Sequence, residues 1–275
     1  NGTLRFNTDT NKTEYYDGTG WYEIVDEYAS GFIGPATNYF DTKLYTGNGG
    51  TQSIGGYING SASFSGNGYI SGLPTVQNTS GEFSVSMWFN TTVNPSVQHT
   101  MLGGIKEQGT NDSVFALKML NDGYSKLYLR GTDGTLHILA DTVDAADGNW
   151  HHLVATVSSS SGVFYVDGQQ VDSATISNNI TVDNLLIGAE NNRATLSPTN
   201  YFDGSIDQVR IYNVALSNSD ITALYGETAA TATTAAFPSG QTAIATYTMD
   251  TSANGLLNTQ DLSTVNYPAG AGCLA

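Results

Sequence analysis

Between residues 38 and 227 the chain alternates apolar and polar side chains in short runs: SASFSG, EFSVSMWFNT, SVFALKML, KLYLRG, LHILAD, HHLVATV, GVFYVDG, NLLIGAE and SIDQVRIYN. A period of two sends successive side chains to opposite faces, so each run reads as a strand with one face in a core. Gly, Asn and Asp separate the runs at the spacing of an all-β sandwich. VFYVDGQQVDSA predicts a hairpin with Asp167-Gly168 as its turn pair. One helix is predicted, SNSDITALYG at 217–226. There Ser217 and Asp220 have capping-box spacing and Gly226 supplies the stop.

The flanks differ from this body. Residues 1–37 read as an adaptor and linker, in which 1–28 alternate around DTNK and DGTG turn signals. That pattern predicts a small β-hairpin unit with Leu4, Phe6, Tyr15, Trp21 and Ile24 as its apolar contacts. It is too short to hold a core alone and is expected to pack on a neighbour or trimerise. Residues 228–275 begin with the small-residue linker TAATATTAA. Beyond it FPSGQTAIA (237–245) returns as YPAGAGCLA (267–275), which reads as the start of further repeats. QTAIATYTM (241–249) is strand-like, and with the 1–28 hairpin it offers edges for strand addition between subunits.

Charge narrows the function classes. The 25 acidic against 9 basic residues give a net charge of −16, so nucleic acid, which is bound by cations, is excluded as a partner. No stretch approaches the length that spans a bilayer, and a membrane partner is not expected. The single cysteine, Cys273, permits no internal disulfide and no thiolate cluster. Eighteen of the acids are Asp, often beside Gly or Asn, which is turn chemistry first and calcium chemistry second.

The order of motifs resembles the laminin-G-like, concanavalin A-like jelly rolls. The carrying residues are INGSASFSGNGYISG (58–72), FSVSMWFNTT (83–92), DGNWHHLVATV (147–157), VFYVDGQQV (163–171), LLIGAE (185–190) and YFDGSIDQVRIYNVALSNSDITALY (201–225). The resemblance implies two antiparallel sheets packed face to face, with rim loops that bind sugars or protein. It also implies that the W-H-H segment is a core strand whose aromatic and alternate residues face the other sheet. By period two, Trp150, His152, Val154 and Thr156 share one face, while His151, Leu153 and Ala155 share the other. Adjacent histidines on a strand cannot chelate one ion together, so the pair reads as scaffold.

Glucanases of this superfamily place their acids in a compact E-x-D-x-x-E strand motif, which none of the seven glutamates here forms. No G-x-S-x-G elbow or H-E-x-x-H helix occurs either, and the chain is not expected to be an enzyme. For calcium, the resemblance matches Asp41 in NYFDTK and Asp207 in GSIDQVR, with Asn48 or Asn67 and nearby carbonyls completing an oxygen cage. The family's acid-rich run after the first strand is here TKLYTGNGG. The bland alternative for Asp207 is a bond to Arg210 or to a backbone amide. Sugars need aromatic platforms and planar polar groups on loops, which Tyr124, Asn121, Asp122, Asn191, Asn192, Arg193, Tyr201 and Asp203 offer. Within that set the 189–203 loop is the first choice.

GTLRFNTDTNKTEYYDGTGW (2–21) resembles a short repeat of bacteriophage virion proteins, and LYTGNGGTQSI (44–54) a phrase of phage structural proteins. The resemblance implies a non-enzymatic protein on the virion surface, part of a homo-oligomer with other virion subunits, that contacts host surface polysaccharide. The alternatives are a purely structural module joined by strand addition, or a bacterial surface adhesin.

Overall fold

The computed structural model describes the backbone of residues 3–7, 12–16, 21–23 and 50–53, and residues 56–249 apart from 59, 78–81, 106–112, 132, 177–178, 193–194, 196, 228–240, 242 and 248. The chain divides into two units, Asn1–Tyr39 and Phe40–Ala275. In the first, strands β1 (Thr3–Asn7), β2 (Lys12–Tyr16) and β3 (Trp21–Glu23) form an antiparallel sheet in that order. Leu4 pairs with Tyr15 and Tyr15 with Tyr22, so the expected hairpin carries a third strand.

The second unit is built from strands with helix α1 (Asn218–Tyr225) between the last two. In chain order they are β4 (Gly50–Ser53), β5 (Ser61–Ser65), β6 (Val76–Gln77), β7 (Phe83–Asn90), β8 (Gln98–Ile105), β9 (Val114–Leu120) and β10 (Tyr124–Arg130). There follow β11 (Leu136–Asp144), β12 (Trp150–Val157), β13 (Ser161–Val166), β14 (Gln169–Thr175), β15 (Thr181–Val182) and β16 (Leu186–Ile187). Last come β17 (Glu190–Asn191), β18 (Pro198–Thr199), β19 (Asp203–Tyr212) and β20 (Ala245–Tyr247). One sheet has the order β11-β10-β9-β8-β16, the other β14-β13-β12-β7-β19-β5-β4, and β20 pairs with β19. Their inner faces meet in a single apolar core, which makes the unit an all-β jelly-roll sandwich.

The alternation in the sequence explains the layers. In β10 Ser125, Leu127 and Leu129 are buried, while Tyr124, Lys126, Tyr128 and Arg130 are partly exposed. Strand β7 is buried on both faces because each has a cover. Phe83, Val85, Met87 and Phe89 enter the core, at about 1.5–3 kcal/mol of burial each. Ser84, Ser86 and Trp88 point to the layer that carries α1. There Ser84 Oγ donates to Val214 O at 2.8 Å and accepts Leu216 N at 3.0 Å, pinning the approach to the helix. A second apolar cluster of Val154, Tyr165, Tyr212, Leu216, Ile221 and Leu224 seats α1 on the larger sheet.

The helix begins as expected, with the Ser217–Asp220 capping box complete. At its end Gly226 has φ −83°, so the stop uses no left-handed residue. In the 167–168 turn Asp167 and Gly168 both have positive φ, 49° and 76°, as a tight hairpin turn of this hand requires.

One expectation is corrected. Leu153, Ala155 and Val157 face the other sheet, whereas Val154 lies in the helix cluster and His152 stacks on Trp88. The W-H-H set with Trp150 and His152 therefore faces the outer layer and not the core, because a covered outer face makes both sides of β12 look equally buried. Strand β20 pairs with β19 through Val209–Tyr247 and Ile211–Ala245, and Ala245, Tyr247 and Met249 enter the core. One edge of the 245–247 strand, expected to be available to a neighbouring subunit, is thus paired within its own sandwich. The second copy, 267–275, lies outside the described residues.

Candidate functional site

A solvent-open cleft of about 370 Å³ lies on the outer face of the smaller sheet. Its floor follows from strand parity. Lys118 on β9 and Tyr128 and Arg130 on β10 project opposite to Leu117, Leu127 and Leu129, which are core. Leu136 of edge strand β11 forms one rim. The opposite wall is the β17–β18 pair, in which Glu190 faces Thr199, with Asn192 and Asn200 beyond it. The volume falls in the range of about 300–1,000 Å³ usual for ligand pockets.

The wall reaches the floor through one buried ion pair. Lys118 Nζ lies 2.6 Å from Glu190 Oε1, and the two side chains are 7% and 6% exposed. Asn200 Nδ2 donates to the same Oε1 at 2.6 Å. Gly103 on β8 makes this approach possible. A Cβ there would meet Ala116 Cβ and Thr100 Cγ2 at 2.9 Å and Glu190 Cβ at 3.3 Å. Asn191 Nδ2 donates to Asn184 O at 3.0 Å, which fixes the next residue of the wall. On the floor Lys118 Nζ sits 4.9 Å from the centroid of the Tyr128 ring, a cation–π arrangement. Burial, then the charges of Glu190 and Asp122, raise the Tyr128 phenol above its ordinary pKa, so it stays a hydroxyl donor at neutral pH.

Of the residues singled out in the sequence, Asn191 and Asn192 line this cleft, and Arg193 lies outside the described residues. Tyr201 forms a parallel bridge with Thr100 and is 6.5 Å from the Tyr69 ring, away from the lining. Asp203 opens β19 and pairs with Ser65 on the larger sheet, so it is not part of the cleft. Tyr124 stands at the far end of β10 from Arg130, its amide held by Asp122 Oδ1 at 3.1 Å, and also does not line it. Asn121 and Asp122 occupy the turn before it, where Asp122 is paired to Lys126. Lys118, Tyr128 and Arg130 are not among the residues singled out in the sequence, and Glu190 and Asn200 enter only as part of the 189–203 loop. The signals were a lone cation inside SVFALKML and the period-two trio Lys126, Tyr128 and Arg130 in KLYLRG.

Asp41 and Asn48, half of the expected calcium set, lie outside the described residues. Asn67 Oδ1 accepts Ser65 Oγ at 3.1 Å. Asp207 is fully buried. Its Oδ2 accepts the Ile58 amide at 2.9 Å and its Oδ1 the Gln208 amide at 2.7 Å. This is the backbone-amide role weighed for it, and Arg210 pairs elsewhere, with Glu227 at 2.5 Å. A one-residue bulge makes the arrangement, since Asp207 opposes Trp88 while Arg210 opposes Ser86, with Gln208 at φ +48° between them. Among the described residues no three His, Cys, Asp or Glu side chains are placed to hold a metal ion together.

Asp207→Ala strands two buried amides at about 1–3 kcal/mol each. The expected loss is about 2–4 kcal/mol, the same with calcium and with EDTA, read by urea melts. If EDTA instead lowered the unaltered protein to the level of the variant, Asp207 would be a metal ligand.

A family model described as the concanavalin A-like lectin/glucanases superfamily matches residues 64–222. No curated protein matches the chain. Among solved structures, the chain is similar to domain 4 of AbnA, a GH43 extracellular arabinanase from Geobacillus stearothermophilus, in complex with arabinotriose. The TM-score is 0.50 at 22% identity, over 63% of this chain and 80% of that one. The Ruminococcus gnavus IT-sialidase CBM40 gives 0.44 at 21%, over 53% and 83%. Domains LG4-5 of the mouse laminin α1 chain give 0.44 at 23%, over 55% and 40%. Identities this low speak to the fold alone.

Proposed function

The chain belongs to the concanavalin A-like lectin/glucanases superfamily, and from that premise we propose that it is a non-catalytic carbohydrate-binding module whose ligand lies in the cleft over Lys118, Tyr128 and Glu190. The observation that carries this is the cleft itself. It combines an aromatic ring, planar amides at Asn192 and Asn200 and an apolar rim at Leu136, the mixture that a sugar's C–H faces and hydroxyls require. The similar arabinanase domain, which is seen with arabinotriose, supports the reading.

The test is titration of the purified chain with a panel of bacterial surface polysaccharides, in calcium and then in EDTA. Saturable binding is expected, and Tyr128→Ala should weaken it about tenfold, roughly 1.4 kcal/mol, with little change in the melting temperature. Binding that ignores Tyr128 would place the ligand elsewhere. Loss of binding in EDTA would bring calcium, with Asp41 and Asp207, into the reading, and binding unchanged in EDTA would remove it.

Display on a virion surface, within a homo-oligomer of virion subunits, is part of the same proposal and rests on the resemblance of residues 2–21 and 44–54. Many copies on one particle would multiply a weak single-site affinity through effective concentration.

A further inference from the structure

Among the described residues, the charged ones that line the cleft are Lys118, Glu190 and Arg130. The first two neutralise each other at 2.6 Å. Among the described residues Arg130 has no ion pair and no side-chain hydrogen bond, and its Nε is buried without a partner there. Lys118 pairs with Glu190, Lys126 with Asp122 and Arg210 with Glu227. A buried donor left without a hydrogen bond is costly to a fold. A chain with 25 acidic residues against 9 basic has carboxylates to spare for its cations, yet this one is left open at a cleft.

Among the described residues the cleft lining therefore carries one net positive charge, in a molecule whose overall charge is −16. A neutral sugar has no use for that inversion. A planar guanidinium with its donors unspent matches the two oxygens of a carboxylate or a sulfate, which can take two parallel N–H bonds from it. Around Arg130 the remaining surface suits the rest of a saccharide. Leu136 follows it across the β10–β11 register, and Tyr128 is the next outward residue on its own strand.

We propose that the cleft selects acidic saccharides, with Arg130 receiving the anionic group while Tyr128 and the wall amides hold the ring that bears it. The proposal rests on the carbohydrate reading above and adds the ligand's charge. Its long-range and short-range electrostatics oppose each other. The charge of the whole chain repels a polyanion at a distance, and salt near 0.15 M screens that repulsion beyond about 8 Å while leaving a contact pair largely intact. Affinity for an acidic ligand should thus hold or rise between about 0.01 M and 0.15 M salt, unlike that of a basic surface patch.

The experiment uses the full chain at 0.15 M salt. Its probes are acidic polysaccharides that carry uronate carboxylates, each beside its carboxyl-reduced form with the same backbone, and sulfated ones beside their desulfated forms. At least one acidic form should bind ten times or more tighter than its neutral counterpart. Arg130→Gln should abolish that difference, and Arg130→Lys should restore part of it. Which pair shows the difference tells carboxylate from sulfate. Equal binding of acidic and neutral forms overturns the proposal and leaves the carbohydrate reading standing. A difference that Arg130→Gln does not reduce overturns the role of Arg130. Absence of binding to every probe overturns both. The comparison of paired ligands on the unaltered chain needs no variant to fold.

Discussion

Glu190→Ala is expected to cost about 3–5 kcal/mol of stability, the range for leaving one member of a buried ion pair uncompensated. The ammonium of Lys118 is 7% exposed, and Glu190 Oε1 at 2.6 Å is its ionic partner. Asn200 loses its acceptor in the same substitution. For a domain of this size the loss corresponds to a fall in melting temperature of about 10 °C. The double variant Lys118→Met, Glu190→Leu should recover most of it, because the cost lies in the stranded charge and not in the absence of the attraction. Thermal melts of the two singles and the double close a cycle that separates these terms. A fall of only about 2 °C for Glu190→Ala would mean that water reaches Lys118, and the cleft floor would then be wetter than its burial implies.

Acid should destabilise the sandwich through His152. Burial, reinforced by the nearby charge of Arg210, pushes its pKa down to about 3. The ring stacks on Trp88, Nε2 bonds Ser86 Oγ at 2.9 Å, and Nδ1 has no partner to receive a second proton's hydrogen bond. An unfolded chain takes that proton near pH 6.5. Stability is therefore complete above about pH 6.5 and falls by about 1.4 kcal/mol for each pH unit below it, down to about pH 3.

The neighbouring His151 has the opposite sign. Its hydrogen bonds to Asp167 at 2.9 Å and Asp147 at 3.1 Å raise its pKa against the burial that lowers it. Its contribution is present below pH 6.5 and lost as pH rises through the raised value, so it does not offset His152 in the acid window. Asp147 and Asp167, both held below the usual carboxylate range, join only as pH falls through their own depressed values. Urea melts at pH 7, 6, 5 and 4 should show the slope, and His152→Gln should flatten it above about pH 4. A variant that kept the full slope would move the acid sensitivity to other groups.

Much of the fold is legible in single residues. Leu127 and Leu129 between Tyr128 and its polar neighbours announce a strand, Asp167-Gly168 a hairpin, and Ser217 with Asp220 a helix start. These signals are local, carried by periodicity and by side chains that bond their own backbone. The site was legible only in part. Asn191 and Asn192 stand in the loop that looked like a sugar loop and do line the cleft. Tyr124, Tyr201 and Asp203 look equivalent in sequence but end on other surfaces, because loop composition carries no direction.

What the sequence by itself determined is therefore the strand class, the alternation that divides each strand into a core face and an outer face, and the excess of acid. Tertiary structure alone decided which outer faces are covered. It put α1 over Trp88 and His152, drew 245–249 back onto β19, and brought Glu190 down onto Lys118 across 72 residues of chain. Each of these depends on pairing between strands distant in sequence. A bulge at Gln208 or a missing Cβ at Gly103 shifts which side chains meet, and no local pattern records that meeting.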